Sequence, residues 1–318
     1  MIRPQNGVTR WAMRLGGSAV FLAILLALLP RGSLLSALHA ISPRQFALLL
    51  IAYLVVHVGA ATKWWIVLGR RIPLPVAIRT HFAGLAANLF LPGATGGDAV
   101  RAMLAHGSMK DGARVTAAAM ADRLIDVVSL GTLTLIGIAM PGHHANTREV
   151  LLAVGLLVPA IAIGVATLPR TLPLPWKLFP KLPGRALGER LAIAFGELGR
   201  RRFMLLFAFA ASLCIQFLLM ALSYVPARAM VGYPDFAAWT YAWPLSKIVA
   251  FLPISINGLG VREGALAALL TPTGAAPATI VASGLIWQAV MFCGSGVGAL
   301  IYALTSGPRP ILAEGPAE

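Results

Sequence analysis

Acidic residues are scarce in this chain, and cysteine is scarcer still. Of 318 residues only 11 are Asp or Glu and 2 are Cys, against 26 Lys and Arg. Cys214 and Cys293 both fall inside long apolar runs, which excludes a disulfide framework and a cysteine metal site and makes both small core residues. Nucleotide loops are missing too. Gly97 is followed by Asp98 where a P-loop has Lys, so ATP-driven transport by this chain alone is not expected. Gly294-Ser295-Gly296-Val297-Gly298 has no strand before it, and its small residues at a spacing of four suit close helix packing. His143-His144 lacks a third ligand, and no nucleophile stands with a paired His. The chain is therefore expected to need no cofactor and to perform no chemistry of its own.

Apolar residues dominate instead. They make up 58% of the chain, charged residues only 12%, and long uncharged runs recur from end to end. A helical bilayer crossing needs about 20 apolar residues. Six runs qualify: Trp11 to Leu29, Phe46 to Leu68, Val115 to Met140, Val150 to Leu168, Phe203 to Val225 and Ala278 to Leu304. This predicts an all-α, polytopic membrane protein. The first run has too long an apolar core for a signal peptide, despite the weak cleavage site Leu38-His39-Ala40, and reads as a retained anchor.

Two shorter apolar runs, Val76 to Leu91 and Trp239 to Pro253, each lead into a glycine-broken phrase. Leu91-Pro92-Gly93-Ala94-Thr95-Gly96-Gly97-Asp98-Ala99-Val100-Arg101 is echoed by Leu252-Pro253-Ile254-Ser255-Ile256-Asn257-Gly258-Leu259-Gly260-Val261-Arg262. Both read L-P-x(4)-G-x-x-V-R, and each is followed by a short apolar helix, Ala99 to Ala105 and Gly264 to Leu270. The expectation is two re-entrant helical hairpins, 76–105 and 239–270, whose broken backbone is tolerated only where protein or a watery cavity satisfies it.

Loop charge sets the orientation. Arg170 to Arg202 holds eight basic residues against Glu189 and Glu197 and is placed in the cytoplasm. Counting crossings from there puts Lys110 to Arg114, Arg70, Arg71 and the N-terminal arginines on the same face, and the C-terminus with them. The first hairpin then enters from inside and the second from outside, the geometry of inverted-topology repeats. Residues 1–168 form the first half of one membrane domain, 169–202 a basic linker, 203–305 the second half and 306–318 a cytoplasmic tail. Within the linker, Leu187 to Arg202 is expected to lie on the inner surface against anionic lipids.

Charged residues inside spans are costly and mark working sites. In the first phrase Pro92 ends a helix, Gly93, Gly96 and Gly97 free the turn, and Asp98 is suited to cap the next helix, with Arg101 one turn on. Asn257, Gly258 and Gly260 serve the second turn, and Arg262 supplies its charge beside Glu263. Exposed amides beside an arginine suit a phosphate or carboxylate. Asp122, Arg123 and Asp126 open the third span, and Lys247 sits in the second hairpin. The alternative is that Asp98 with Arg101, Arg123 with Asp126 and Arg262 with Glu263 only neutralise one another and pin helices together.

At these residues the chain resembles the lysylphosphatidylglycerol synthase transmembrane region, the flippase-like membrane family. The resemblance rests on Asn88-Leu89-Phe90-Leu91-Pro92-Gly93 through Arg101, on Asp122-Arg123-Leu124, and on Pro253 through Gly264, in that order. Ala94-Thr95 departs from the family's usual Pro-Gly-Gly, and Asp122 stands where many members have Glu. The resemblance implies movement of a lipid with a charged or glycosylated head group between leaflets of the bacterial inner membrane. With Glu318 as the last residue soon after the last expected span, aminoacyl transfer of the kind performed by the full synthases is not expected of this chain. The head-group site then comprises Asn88, Gly93, Gly96, Gly97, Asp98, Arg101, Asp122, Arg123, Asp126, Lys247, Asn257, Gly258, Gly260, Arg262 and Glu263. The expected partners are a phospholipid or other polar lipid, the bilayer, a lipid-modifying enzyme encoded nearby and a second copy of the chain, with no nucleic acid. A membrane-embedded transferase or accessory subunit acting on a lipid-linked substrate is the alternative, and a scaffold recruiting a soluble protein through the linker is a third reading.

Overall fold

The computed structural model describes residues 41–88, 91, 96–140, 155, 159, 163, 167–179, 181, 183–250 and 260–305. The expected crossing Trp11 to Leu29, most of Val150 to Leu168, His143-His144, the tail 306–318 and the turn residues Gly93, Asn257 and Gly258 lie outside them. The described residues form α-helices and one 3-10 turn, with no strand among them. In chain order the helices are α1 Pro43–Val67, α2 Leu74–Ala87, α3 Gly96–Met109, α4 Gly112–Ala139, α5 Leu174–Leu178, α6 Arg185–Arg200, α7 Arg202–Arg228, α8 Phe236–Val249, α9 Val261–Leu270 and α10 Pro277–Thr305.

Local chemistry fixes several helix starts. Ser42 and Gln45 form a reciprocal capping box ahead of Pro43, so two otherwise orphaned amides at the start of α1 are satisfied. Asp111 accepts from the Arg114 amide at α4 and Asp235 from the Ala237 amide at α8.

Helices α1, α7 and α10 are long and apolar enough to cross a membrane. Helix α4 has 28 residues, about 42 Å at the usual rise, which is length enough. Its Arg114, Asp122, Arg123 and Asp126 hold down its hydropathy. By contrast α2 and α8 have 14 residues each, about 21 Å, short of the ~30 Å hydrocarbon core.

The packing has a two-fold pattern. Helix α1 lies against α7, α2 against α3, and α8 against α9. The first arm of each short pair rests on the long helix that follows the other pair, α2 on α10 and α8 on α4. Exchanging α1–α4 with α7–α10 reproduces these contacts. Glycines make the two exchanged crossings close. A Cβ on Gly298 would stand 2.7 Å from the Phe82 carbonyl oxygen in α2, and one on Gly137 would collide with the Tyr241 amide in α8. Gly294 meets the Tyr53 ring, whereas Gly296 faces open space, as the spacing of four requires.

The main core gathers Trp239, Trp243, Met220, Leu130 and Trp287 where α4, α7, α8 and α10 meet. Large apolar side chains such as Ile51, Val55, Leu206, Phe207 and Leu300 point outward, as membrane-facing surfaces require. Cys214 and Cys293 lie in α7 and α10 but are exposed, which corrects their reading as core residues. Their helices turn those positions toward the outside, a matter of rotation that an all-apolar run does not record. Helix α6 rests on α4, its Ala194 and Phe195 packed against Ala117.

Candidate functional site

The site begins where α2 and α3 touch. A Cβ on Gly84 would stand 2.7 Å from the Gly97 carbonyl oxygen, and one on Gly97 would collide with that of Gly84, so only glycine allows this approach. The Gly97 amide donates to Asn88 Oδ1 at 2.8 Å. Helix α3 starts at Gly96, three residues earlier than a capping Asp98 would require. Asp98 therefore lies in the first turn, and its carboxylate is turned to Arg101, 3.1 Å away, and to Arg123.

Arg101 is 5% exposed and central to a chain of charges. Its Nη2 donates to Asp122 Oδ2 at 3.0 Å, and its guanidinium lies 4.2 Å over the Trp64 ring. Lys63, 3% exposed on α1, bridges Asp122 at 3.0 Å and Asp126. Ser212 also donates to Asp126. The order Asp126, Lys63, Asp122, Arg101, Asp98, Arg123 alternates in sign, so each buried charge has an opposite neighbour. Arg123 thus forms an ion pair with Asp98 and Asp126 one with Lys63, beside the attraction between Arg123 and Asp126 themselves. The sequence marks Lys63 only as one cation in an apolar run. Asp122 and Asp126 do share a helix face, one turn apart, and Lys63 is what that face receives.

The second phrase is built differently. Gly260 has φ of +80°, a conformation that favours glycine, and its amide donates to Glu263 Oε2 at 2.8 Å. Glu263 is fully buried and accepts from Arg262 Nη2 at 2.7 Å. Arg262, 5% exposed, also donates to Gln288 Oε1 at 3.2 Å on α10. Each phrase arginine therefore reaches an acceptor on the long helix that follows it, Asp122 for Arg101 and Gln288 for Arg262. Lys247 donates to Gln216 Oε1 at 2.7 Å and lies 5.0 Å over the Trp243 ring.

Both arginines line one cavity of about 160 Å³. Asn88, Gly97, Asp98, Arg123 and Lys247 share its wall, with Tyr53, Trp243 and Trp287 as an aromatic side. Asp122 and Glu263 stand behind Arg101 and Arg262, and with Asp126, Gly96 and Gly260 they lie outside the lining. Cations face the cavity and most carboxylates back them. Among the described residues Nε of Arg101 and Nε of Arg262 have no hydrogen-bond partner.

Two histidines that sequence reasoning missed complete the wall. His81 Nδ1 lies 3.4 Å from Arg101 Nη1, and His81 Nε2 lies 3.1 Å from His57 Nδ1. A guanidinium can only donate, so His81 accepts at Nδ1 and donates from Nε2 to His57. The contact thus holds both rings as neutral imidazoles, with the remaining proton on His57 Nε2. The one available signal is a polar residue inside each apolar run.

A family model described as the lysylphosphatidylglycerol synthase TM region matches residues 11–298. No curated protein matches the chain.

Proposed function

The chain belongs to the lysylphosphatidylglycerol synthase transmembrane family, and from that membership and its shared cavity we propose that it moves a polar lipid between leaflets of the bacterial inner membrane. The observation that carries this reading is that Arg101 and Arg262, far apart in sequence, line the same buried cavity. Charges are kept inside membrane proteins at a cost, and a path for a polar group repays it.

In this reading α2–α3 and α8–α9 are hairpins entering from opposite faces, with both chain termini cytoplasmic. The short arms and the exchanged packing of α2 on α10 and α8 on α4 support it. The head group occupies the cavity while the acyl chains stay in the bilayer. Arg101 already shares its guanidinium with Asp98 and Asp122, so it attracts an anion without holding it as a bare arginine would. Release is then as accessible as entry. The lipid leaves chemically unchanged.

Purified protein reconstituted into vesicles with a fluorescent phospholipid tests this. Membrane-impermeant quencher should reach most of the probe within minutes, where protein-free vesicles protect about half, and mass spectrometry should find the starting lipid alone. A chemically new lipid would favour the membrane-embedded transferase, and a persistently protected inner leaflet would refute transport.

A further inference from the structure

A second accumulation of positive charge lies away from the cavity, at the end of the bundle where α1 stops and α7 starts. Both helices are long and apolar enough to cross a membrane, and they pack against each other, so Val67 and Arg202 mark one membrane boundary. Arg70, Arg200, Arg201 and Arg202 surround a groove of about 590 Å³ there, whose lining among the described residues contains no carboxylate. The glutamates of the adjoining α6 are engaged elsewhere, Glu189 by Arg185 and Glu197 by Arg114. Local geometry holds the arginines in place. Trp65 Nε1 donates to the Ile72 carbonyl at 2.7 Å, which folds the turn after α1 back around the indole. Arg70 adopts φ of +58°, uncommon for arginine, and its guanidinium lies 5.2 Å over that same ring. Arg201, at the junction of α6 and α7, reaches across the turn, its Nη1 2.9 Å from where a Cβ on Gly69 would stand. On the membrane side Ile66, Met204 and Phe207 form an apolar wall, continuous with the outward-facing side chains of α7.

We propose that this groove holds one anionic lipid bearing two phosphodiesters, of the cardiolipin type, as a clamp between the end of α1 and the start of α7. The site is separate from the lipid path and does not depend on it. Four guanidiniums exceed the charge of one phosphodiester, whereas two phosphodiesters give each phosphate two guanidiniums and the bidentate pairing that arginine favours. A soluble anion would use the arginines and leave the apolar wall bare, but an acyl chain covers it. A basic pocket between spans at the bilayer boundary is the setting in which such head groups bind. The clamp closes on helices already joined deeper in the membrane, where Lys63 of α1 and Ser212 of α7 meet on Asp126.

Native mass spectrometry of the full chain, titrated in detergent with tetraoleoyl-cardiolipin or with dioleoyl-phosphatidylglycerol at equal phosphate, tests the claim. Cardiolipin should bind at least about tenfold more tightly. The double variant Arg70→Gln with Arg201→Gln should weaken cardiolipin at least about tenfold. Lys110→Gln with Arg190→Gln removes the same charge from exposed positions outside the groove and should stay within about twofold of the original. Equal affinity of the two lipids would overturn the two-phosphate assignment. An equal loss in both double variants would reduce the site to the general attraction of a basic surface and overturn it. Inorganic pyrophosphate displacing cardiolipin at equal concentration would assign the arginines to a soluble anion and overturn the lipid. Binding is read here without transport, so each of these results leaves the lipid path to its own vesicle measurement.

Discussion

Lys63→Met is expected to destabilise the protein by about 3–5 kcal/mol, the range for removing one partner of a buried ion pair. Met keeps the length and apolar stem of Lys, so the loss isolates the ammonium. Lys63 is buried between Asp122 and Asp126, and without it two carboxylates one turn apart on α4 face each other across the gap. Arg101 still holds Asp122 and Ser212 still holds Asp126, but neither can bridge both. The double variant Lys63→Met with Asp126→Asn removes one charge of each sign and should recover more than half of the loss, a coupling that a mutant cycle reads directly. Thermal unfolding in detergent measures both. A Lys63→Met protein as stable as the original would mean that the alternating chain of charges does not hold α1 to α4.

The second large effect concerns the exchanged crossings. Gly137→Leu and Gly298→Leu should each cost about 3 kcal/mol or more, the upper range for overpacking, because the obstacle is backbone in both cases. The Tyr241 amide blocks the first and the Phe82 carbonyl the second, and neither can move without separating a short arm from its long helix. Gly296→Leu, on the same helix as Gly298 but facing open space, should stay within about 0.5 kcal/mol. Equal tolerance at Gly296 and Gly298 would remove the close approach of α2 to α10. If only one of the two crossings proved sensitive, the two-fold pattern would not extend to its energetics.

How much of this was written in the sequence depends on the range over which each signal acts. Hydropathy over about twenty residues is local, so α1, α7 and α10 were legible as spans. Helix α4 was legible by length although its charges dilute the same signal. The duplicated phrase pointed to Arg101 and Arg262 together, and both line one cavity. Helix starts were less legible. Asp98 has the right chemistry for a cap, but the close approach of Gly97 to Gly84 draws α3 back to Gly96, and that contact is tertiary. Partners were least legible of all. Lys63 finds Asp126 and Lys247 finds Gln216 through helix packing, and an isolated polar residue in an apolar run does not name its mate. The outward turn of Cys214 and Cys293 escaped for the same reason, since runs apolar on every side carry no phase.

The family match and the cavity together make head-group passage between the two phrase arginines the central claim. Its most direct measurement is lipid movement in vesicles containing matched amounts of the original protein, Arg101→Ala, Arg262→Ala and, as a control on the outer surface, Phe203→Ala, whose side chain is 89% exposed. Each lost arginine removes a charge-assisted contact along the path, so both arginine variants should move lipid at least about tenfold more slowly, while Phe203→Ala keeps the original rate. Unchanged movement with either arginine replaced would contradict the account.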